Sequence, residues 1–186
     1  MINTKLASIY KSKVQKLIKD VETNKINRFC EIIKKTSKKN KILVFGNGGS
    51  ASTANHFAND MTKNAKIKTF SFSNDNLITC YSNDYGFENW IKKALENYGS
   101  RNDLCIFISA SGNSKNVVKA AKFCKKLKIK SFSLTGFRKS NQLNKISDNG
   151  IWIKSNSYNQ IEIIHHMILL TVVDVLIGRD NYKSNL

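Results

Sequence analysis

The sequence predicts an α/β sandwich: a parallel sheet with helices packed on both faces. Two features carry this. Short, largely apolar runs such as "KILVF" (41–45) and "LCIFISA" (104–110) end in turns rich in glycine and serine, as strands buried on both faces do. Longer segments with helical apolar spacing separate these runs, and strands that alternate with helices pair in parallel.

The elements follow in order. Residues 4–38 carry apolar side chains at helical spacing: Leu6, Ile9, Tyr10, Val14, Leu17, Ile18 and Val21, then Ile26, Phe29, Ile32 and Ile33. "ETNK" (22–25) marks a break between two helices. Such a stripe must be covered, which predicts an N-terminal helical segment, residues 1–40, serving oligomerisation, and a main domain over residues 41–186. The first strand is followed by a helix over 51–63, a strand at "KTFSFS" (68–73) and a helix over 86–97. The second apolar strand precedes a helix over 114–127. "IKSFSLTG" and "NGIWIKS" are two further strands, and 159–177 is the last helix. In such sheets ligands bind at the carboxyl ends of the strands.

The formal charge is +18, from 31 Lys and Arg against 13 Asp and Glu. The lysines are dispersed among Asn, Ser and Ile, with no zinc-finger, helix-turn-helix or aromatic-basic signature, so a nucleic-acid partner is not expected. The excess suits attraction of an anionic substrate. Four scattered cysteines, Cys30, Cys80, Cys105 and Cys124, read as free thiols in a reducing compartment. The N-terminus lacks the apolar core of a signal peptide, and no uncharged run approaches membrane-spanning length. A cytoplasmic protein with no membrane partner is expected.

Three turns carry chemistry. "GNGGSAS" (46–52) brings backbone amides to a helix N-terminus, a geometry that holds anions or sugar oxygens. It is neither a phosphate-binding GK[ST] loop nor GxGxxG. "SASGNSKN" (109–116) gathers Ser109, Ser111, Asn113 and Ser114 around one glycine at a strand end. A helix cap needs one such residue, and four point to a phosphate dianion. "SNDYGFE" (82–88) places Asn83 and Asp84 before a turn glycine and a helix.

In this order and spacing, "GNGGSAS", "NDYGFE", "SASGNS" and a C-terminal helix with Glu and His resemble the sugar isomerase (SIS) domain, and within it the bacterial sedoheptulose-7-phosphate (phosphoheptose) isomerases. The resemblance implies a flavodoxin-like three-layer sandwich and a homotetramer. The implied reaction converts sedoheptulose 7-phosphate to D-glycero-D-manno-heptose 7-phosphate through an enediol, for lipopolysaccharide or capsule synthesis, often with zinc. It also implies that Ser109, Ser111 and Ser114 hold the phosphate, with Ala110 standing where the family has threonine. Asn47, Gly48, Gly49 and Ser50 then line the sugar, with Asn83 and Asp84 near its hydroxyls.

The departures fall on the metal and acid–base positions. "HFAND" matches the family's "HFAEE", so His56 takes the metal-binding histidine's place and Asp60 that of the glutamate base. On the last helix the family's glutamine falls on Glu162 and its histidine on Leu170. At about 100° per residue, Glu162, His166 and Leu170 share one stripe. His56 and Asp60 share another. Facing each other, these stripes are expected to assemble His56, Asp60, Glu162 and His166 as a divalent-metal site, with Asp60, His166 and Glu162 as acid–base groups. His165 points about 100° away and is expected at a different position, a subunit contact. The alternative reading is a catalytically inactive phosphosugar-binding or scaffold protein of the replication-initiator-binding type.

Overall fold

The computed structural model describes residues 4–180, so the outer ends of the two predicted segments, 1–3 and 181–186, lie outside the described residues. The chain order is α1 (Thr4–Asp20), α2 (Thr23–Ser37), β1 (Ile42–Phe45), α3 (Gly49–Lys63), β2 (Thr69–Ser71), α4 (Asp75–Tyr85), α5 (Trp90–Tyr98), β3 (Leu104–Ser109), α6 (Lys115–Leu127), β4 (Lys130–Thr135), α7 (Gln142–Ile146), β5 (Asn149–Trp152) and α8 (Tyr158–Ile177). All strand pairs are parallel and the sheet order is β2-β1-β3-β4-β5. This is the flavodoxin-like order, with its switch point between β1 and β3.

Two apolar layers sandwich the sheet. On one face α2, α3 and α8 bury Phe29, Ile33, Phe57, Met61, Ile164 and Ile168 against Ile42, Ile106 and Phe132. On the other, α5 and α6 bury Trp90, Leu95, Val117 and Ala121 against Leu43, Phe45 and Phe107. α2 is part of the sandwich: Phe29 stacks on Phe132 of β4 with ring centroids 3.7 Å apart. α1 differs, leaving Leu6, Ile9 and Ile18 exposed.

The strands and the flanking helices follow the sequence expectation, with three differences, of which the shortest is α7, a helix the sequence does not predict. Residues 75–85 form a helix that the sequence does not predict, and it takes in Asn83 and Asp84 of the expected turn. Asn74 caps it, its side chain accepting the Leu77 N–H at 3.2 Å, and Gly86 ends it with φ 81°. α4 buries none of its residues fully, and its partly buried Leu77, Ile78 and Tyr81 pack on the second apolar layer. The following helix starts at Trp90, later than expected.

α8 is long and apolar enough by length and composition to cross a membrane, with mean hydropathy 1.7. Here it is a core helix: Ile161, Ile164, Ile168, Leu169, Val172 and Val173 are buried against α2, α3 and the sheet.

Candidate active site

The carboxyl ends of β1 and β3 meet at the switch point, and the two predicted loops meet with them. After β1 the chain turns at Gly48, whose φ of 52° and ψ of −124° suit glycine. Gly49 then opens α3. Ser50 is buried, and Asn47 is half-buried. After β3, Ser109 Oγ and Ser114 Oγ lie 3.2 Å apart. Ser114 precedes α6 but makes no side-chain cap, so its hydroxyl faces Ser109 and the pocket rather than its own helix. Ser111 Oγ accepts the Asn113 N–H at 3.2 Å. Asn113 turns away, its Oδ1 accepting the Gln142 N–H of α7 at 3.1 Å. Ala110 carries no hydroxyl, and its carbonyl accepts Gly136 N–H at 2.7 Å.

A pocket of about 140 Å³ joins these loops to α8. Asn47, Ser50, Ser109, Ala110, Ser111 and Ser114 line one side, and Tyr158 and Glu162 the other. The N-terminus of α6 adds free backbone amides, which favour an anion. Glu162 reaches the start of α3: a Cβ placed on Gly49 would overlap the Glu162 carboxylate.

α3 and α8 run parallel with one register. Thr53 Oγ1 and His166 Nδ1 are 3.3 Å apart, an offset of 113 residues, and the Gly49–Glu162 approach has that same offset. One turn further along, His56 and His166 stand with ring centroids 5.0 Å apart at 63°. His56 Nε2 lies 3.2 Å from Asp60 Oδ2. Burial, then the neighbouring His56, push the His166 pKa below its usual value, while Asp60 acts in the opposite direction. His166 is therefore neutral near pH 7.

His56, Asp60 and His166 thus come together as expected. Glu162 does not join them: it sits a turn away, in the serine pocket. Among the described residues, no group of three or more His, Cys, Asp or Glu side chains is disposed to hold a metal ion. The expected four-donor set His56, Asp60, Glu162, His166 is therefore not assembled by one chain. The i, i+4 spacing on α8 that put Glu162 and His166 on one stripe also separates them along the helix by about 6 Å. Leu170 adds no donor.

Two other expectations change. Asn83 and Asp84 lie in the last turn of α4, exposed, with Asn83 Nδ2 donating to Asp84 Oδ1 at 3.1 Å. They do not line the serine pocket. His165 is fully buried, and its Nε2 lies 3.2 Å from the Thr135 carbonyl of β4. It is a core residue between α8 and the sheet, not a surface contact. Desolvation outweighs that hydrogen bond and lowers its pKa to about 4.

Sequence reasoning missed Thr53, Asp174 and Asn116. Asp174 extends the Glu162–His166–Leu170 stripe by one more turn. Its carboxyl pKa is raised, by burial first and then by Asp180 and Asp60. Continuing the helical period would have found it.

Comparison with known proteins places this geometry. The SIS domain model matches residues 9–136. The phosphoheptose isomerase of Helicobacter pylori (strain Shi470) is 33% identical over 173 residues, covering 90% of both chains. Phosphoheptose isomerase 2 of Campylobacter jejuni is 34% identical over 163 residues, covering 82% of this chain and 81% of its own. The structure of phosphoheptose isomerase GmhA from Neisseria gonorrhoeae superposes with a TM-score of 0.88 at 24% identity, over 96% of this chain and 100% of that one. A third of the residues shared across nine-tenths of both chains, on the same fold, means that this chain belongs to the SIS-domain family and, within it, to the phosphoheptose isomerases.

Proposed function

We propose that this chain interconverts sedoheptulose 7-phosphate and D-glycero-D-manno-heptose 7-phosphate through an enediol. The observation that carries the reading is the junction of two parts: a hydroxyl-lined pocket at the N-terminus of α6, and the His56–Asp60–His166 cluster on α3 and α8. Seven residues of helix, about 10 Å, separate Gly49 from His56 along α3. An open-chain heptose phosphate is long enough to set its phosphate among the serines and its reacting carbons near the cluster.

Aldose–ketose isomerisation needs a base for the C–H proton and a donor for the enediolate oxygen. Asp60, held against His56, takes the proton. Thr53 Oγ1 lies 3.3 Å from Nδ1 of neutral His166; in the tautomer this mechanism uses, Thr53 donates to Nδ1 and leaves Nε2–H to donate to the oxygen. Glu162 stands between the two ends, where its carboxylate accepts sugar hydroxyls and serves ring opening. The serines anchor the phosphate away from the chemistry and so contribute positioning. These roles are filled by side chains alone: among the described residues, no three His, Cys, Asp or Glu groups are disposed to hold a metal ion.

We further propose a homotetramer, supported by the exposed Leu6, Ile9 and Ile18 of α1, and a cytoplasmic location, supported by four unpaired cysteines. Supply of heptose for lipopolysaccharide or capsule belongs to the same reading. The test is turnover of sedoheptulose 7-phosphate followed by NMR of the aldose product. Binding of the sugar phosphate with no turnover would instead support the scaffold reading that Leu170 suggests.

A further inference from the structure

We propose that Asn116 is a positioning residue for sugar recognition: it decides which end of the Asn47 side-chain amide faces the substrate. The inference rests on the isomerase reading above and adds a residue to its site.

Asn47 and Asn116 form a reciprocal amide pair across 69 residues of sequence. Asn47 Nδ2 donates to Asn116 Oδ1 at 3.0 Å, and Asn116 Nδ2 donates to Asn47 Oδ1 at 2.9 Å. Asn116 is 2% exposed. A buried amide pair could be drawn with both side chains reversed, and only a third group can set its polarity. Val117 supplies it. Its backbone N–H points at Asn116 Oδ1 at 2.9 Å, and an N–H can only donate. The oxygen of Asn116 must therefore face Val117, so its nitrogen must face the oxygen of Asn47.

The consequence reaches the pocket. Asn47 lines both the serine pocket and the adjoining cleft that contains Phe87, Glu88 and Ser114. Each asparagine amide has two N–H groups and an oxygen with two lone pairs. The pair spends one N–H and one lone pair of Asn47. What remains is one N–H and one lone pair in a fixed order, matched to a hydroxyl that accepts and donates. Without Asn116, the Asn47 amide is free to turn over and present the reverse order. The pair also ties the turn after β1 to the first turn of α6, and so holds the sugar-binding turn at a set distance from the serines.

The experiment measures binding of sedoheptulose 7-phosphate and of inorganic phosphate by calorimetry, together with turnover. Asn116→Ala is expected to weaken sugar-phosphate binding about 10-fold, the size of a lost polar contact in a binding site, and to leave inorganic phosphate within about two-fold. In an Asn47→Ala background, Asn116→Ala should add less than about two-fold. Asn116→Asp keeps an acceptor for Val117 N–H and for Asn47 Nδ2, but replaces the donor that faces Asn47 Oδ1 with a second acceptor, so the two oxygens repel and the Asn47 amide cannot hold its order. This variant should lower the ratio of sugar-phosphate to inorganic-phosphate affinity as Asn116→Ala does, with the melting temperature near wild type. A wild-type ratio in Asn116→Asp, or losses that multiply in the double variant, would overturn the proposal. Wild-type protein that binds sedoheptulose 7-phosphate without turning it over would refute the isomerase reading and leave the amide pair still measurable by these affinities.

Discussion

His56 of α3 and His166 of α8 face each other across the helix pair, ring centroids 5.0 Å apart and inclined at 63°. The contact joins two elements 110 residues apart in sequence, and it puts each imidazole in the other's field. His56 disfavours a charge on His166, and Asp60 favours it. Imidazole titration followed by NMR tests this directly. His166 should titrate below the usual histidine value of about 6.5. His56→Gln removes the repulsion and should raise the His166 pKa. Asp60→Asn removes the attraction and should lower it. Movement in the opposite direction in either variant would show that the two rings are not coupled as the geometry implies.

On the proposed roles, His166→Ala should lower kcat by about 10²- to 10³-fold, in the range of a lost acid–base group, with the affinity for inorganic phosphate unchanged. Stopped assays of turnover and phosphate calorimetry on the same preparation separate the two. An unchanged kcat would remove His166 from the reaction.

Gly49→Ala isolates Glu162. Gly49 is the first residue of α3 and keeps an ordinary negative φ, so alanine suits the helix there. Its Cβ would nevertheless lie 3.0 Å from the Glu162 carboxyl carbon and closer still to the carboxylate. The carboxylate must swing out of the pocket. The expected result is stability within about 1 kcal/mol of wild type and kcat/KM lower by about 10²-fold. Urea unfolding and steady-state kinetics check both halves.

His165 has a stability signature, not a catalytic one. The folded state holds it neutral down to about pH 4, because burial penalises the charge. The unfolded chain takes up the proton near pH 6.5. Between these values the unfolded state binds more protons, so stability falls as pH drops from about 6.5 to 4 and levels off below. The full loss is of order 3 kcal/mol. His165→Leu should flatten that part of the profile. The Thr135 carbonyl keeps the Ile153 N–H at 2.8 Å in its place. Urea unfolding at pH 7 and pH 4.5 reads the difference.

The sheet was legible because β1 and β3 are covered on both faces and read as unbroken apolar runs. α4 was not, since it offers one thin apolar stripe, Leu77, Ile78 and Tyr81, amid Asn, Asp and Ser that also make turns. The serine loop was legible as chemistry because its three hydroxyls fall within six residues, Ser109 to Ser114. The partition of the α8 stripe was not. Helical period places Glu162, His166, Leu170 and Asp174 on one face, but which turn of α3 each one meets depends on the register between two helices. The Thr53–His166 contact and the Gly49–Glu162 approach, both offset by 113 residues, fix that register. Asn116 was silent for a related reason: its meaning lies in a partner 69 residues away.

Leu170 stands where an imidazole would bear on metal binding. In this chain His56 Nε2, a nitrogen that could bind a metal, rests on Asp60, and among the described residues no three His, Cys, Asp or Glu side chains are disposed to close a cage. Turnover is therefore expected to survive dialysis against EDTA within about two-fold. Leu170→His adds an imidazole one turn beyond His166, on the stripe that faces His56 and Asp60. That variant should bind Zn²⁺ more tightly than wild type, by at least about 10-fold in a competition with a chromogenic chelator, as a further imidazole donor would. Loss of wild-type turnover on chelation, restored by Zn²⁺, would instead place a metal on His56 and Asp60 with donors from outside the single chain, and would move the enediolate's stabilisation from His166 to that ion.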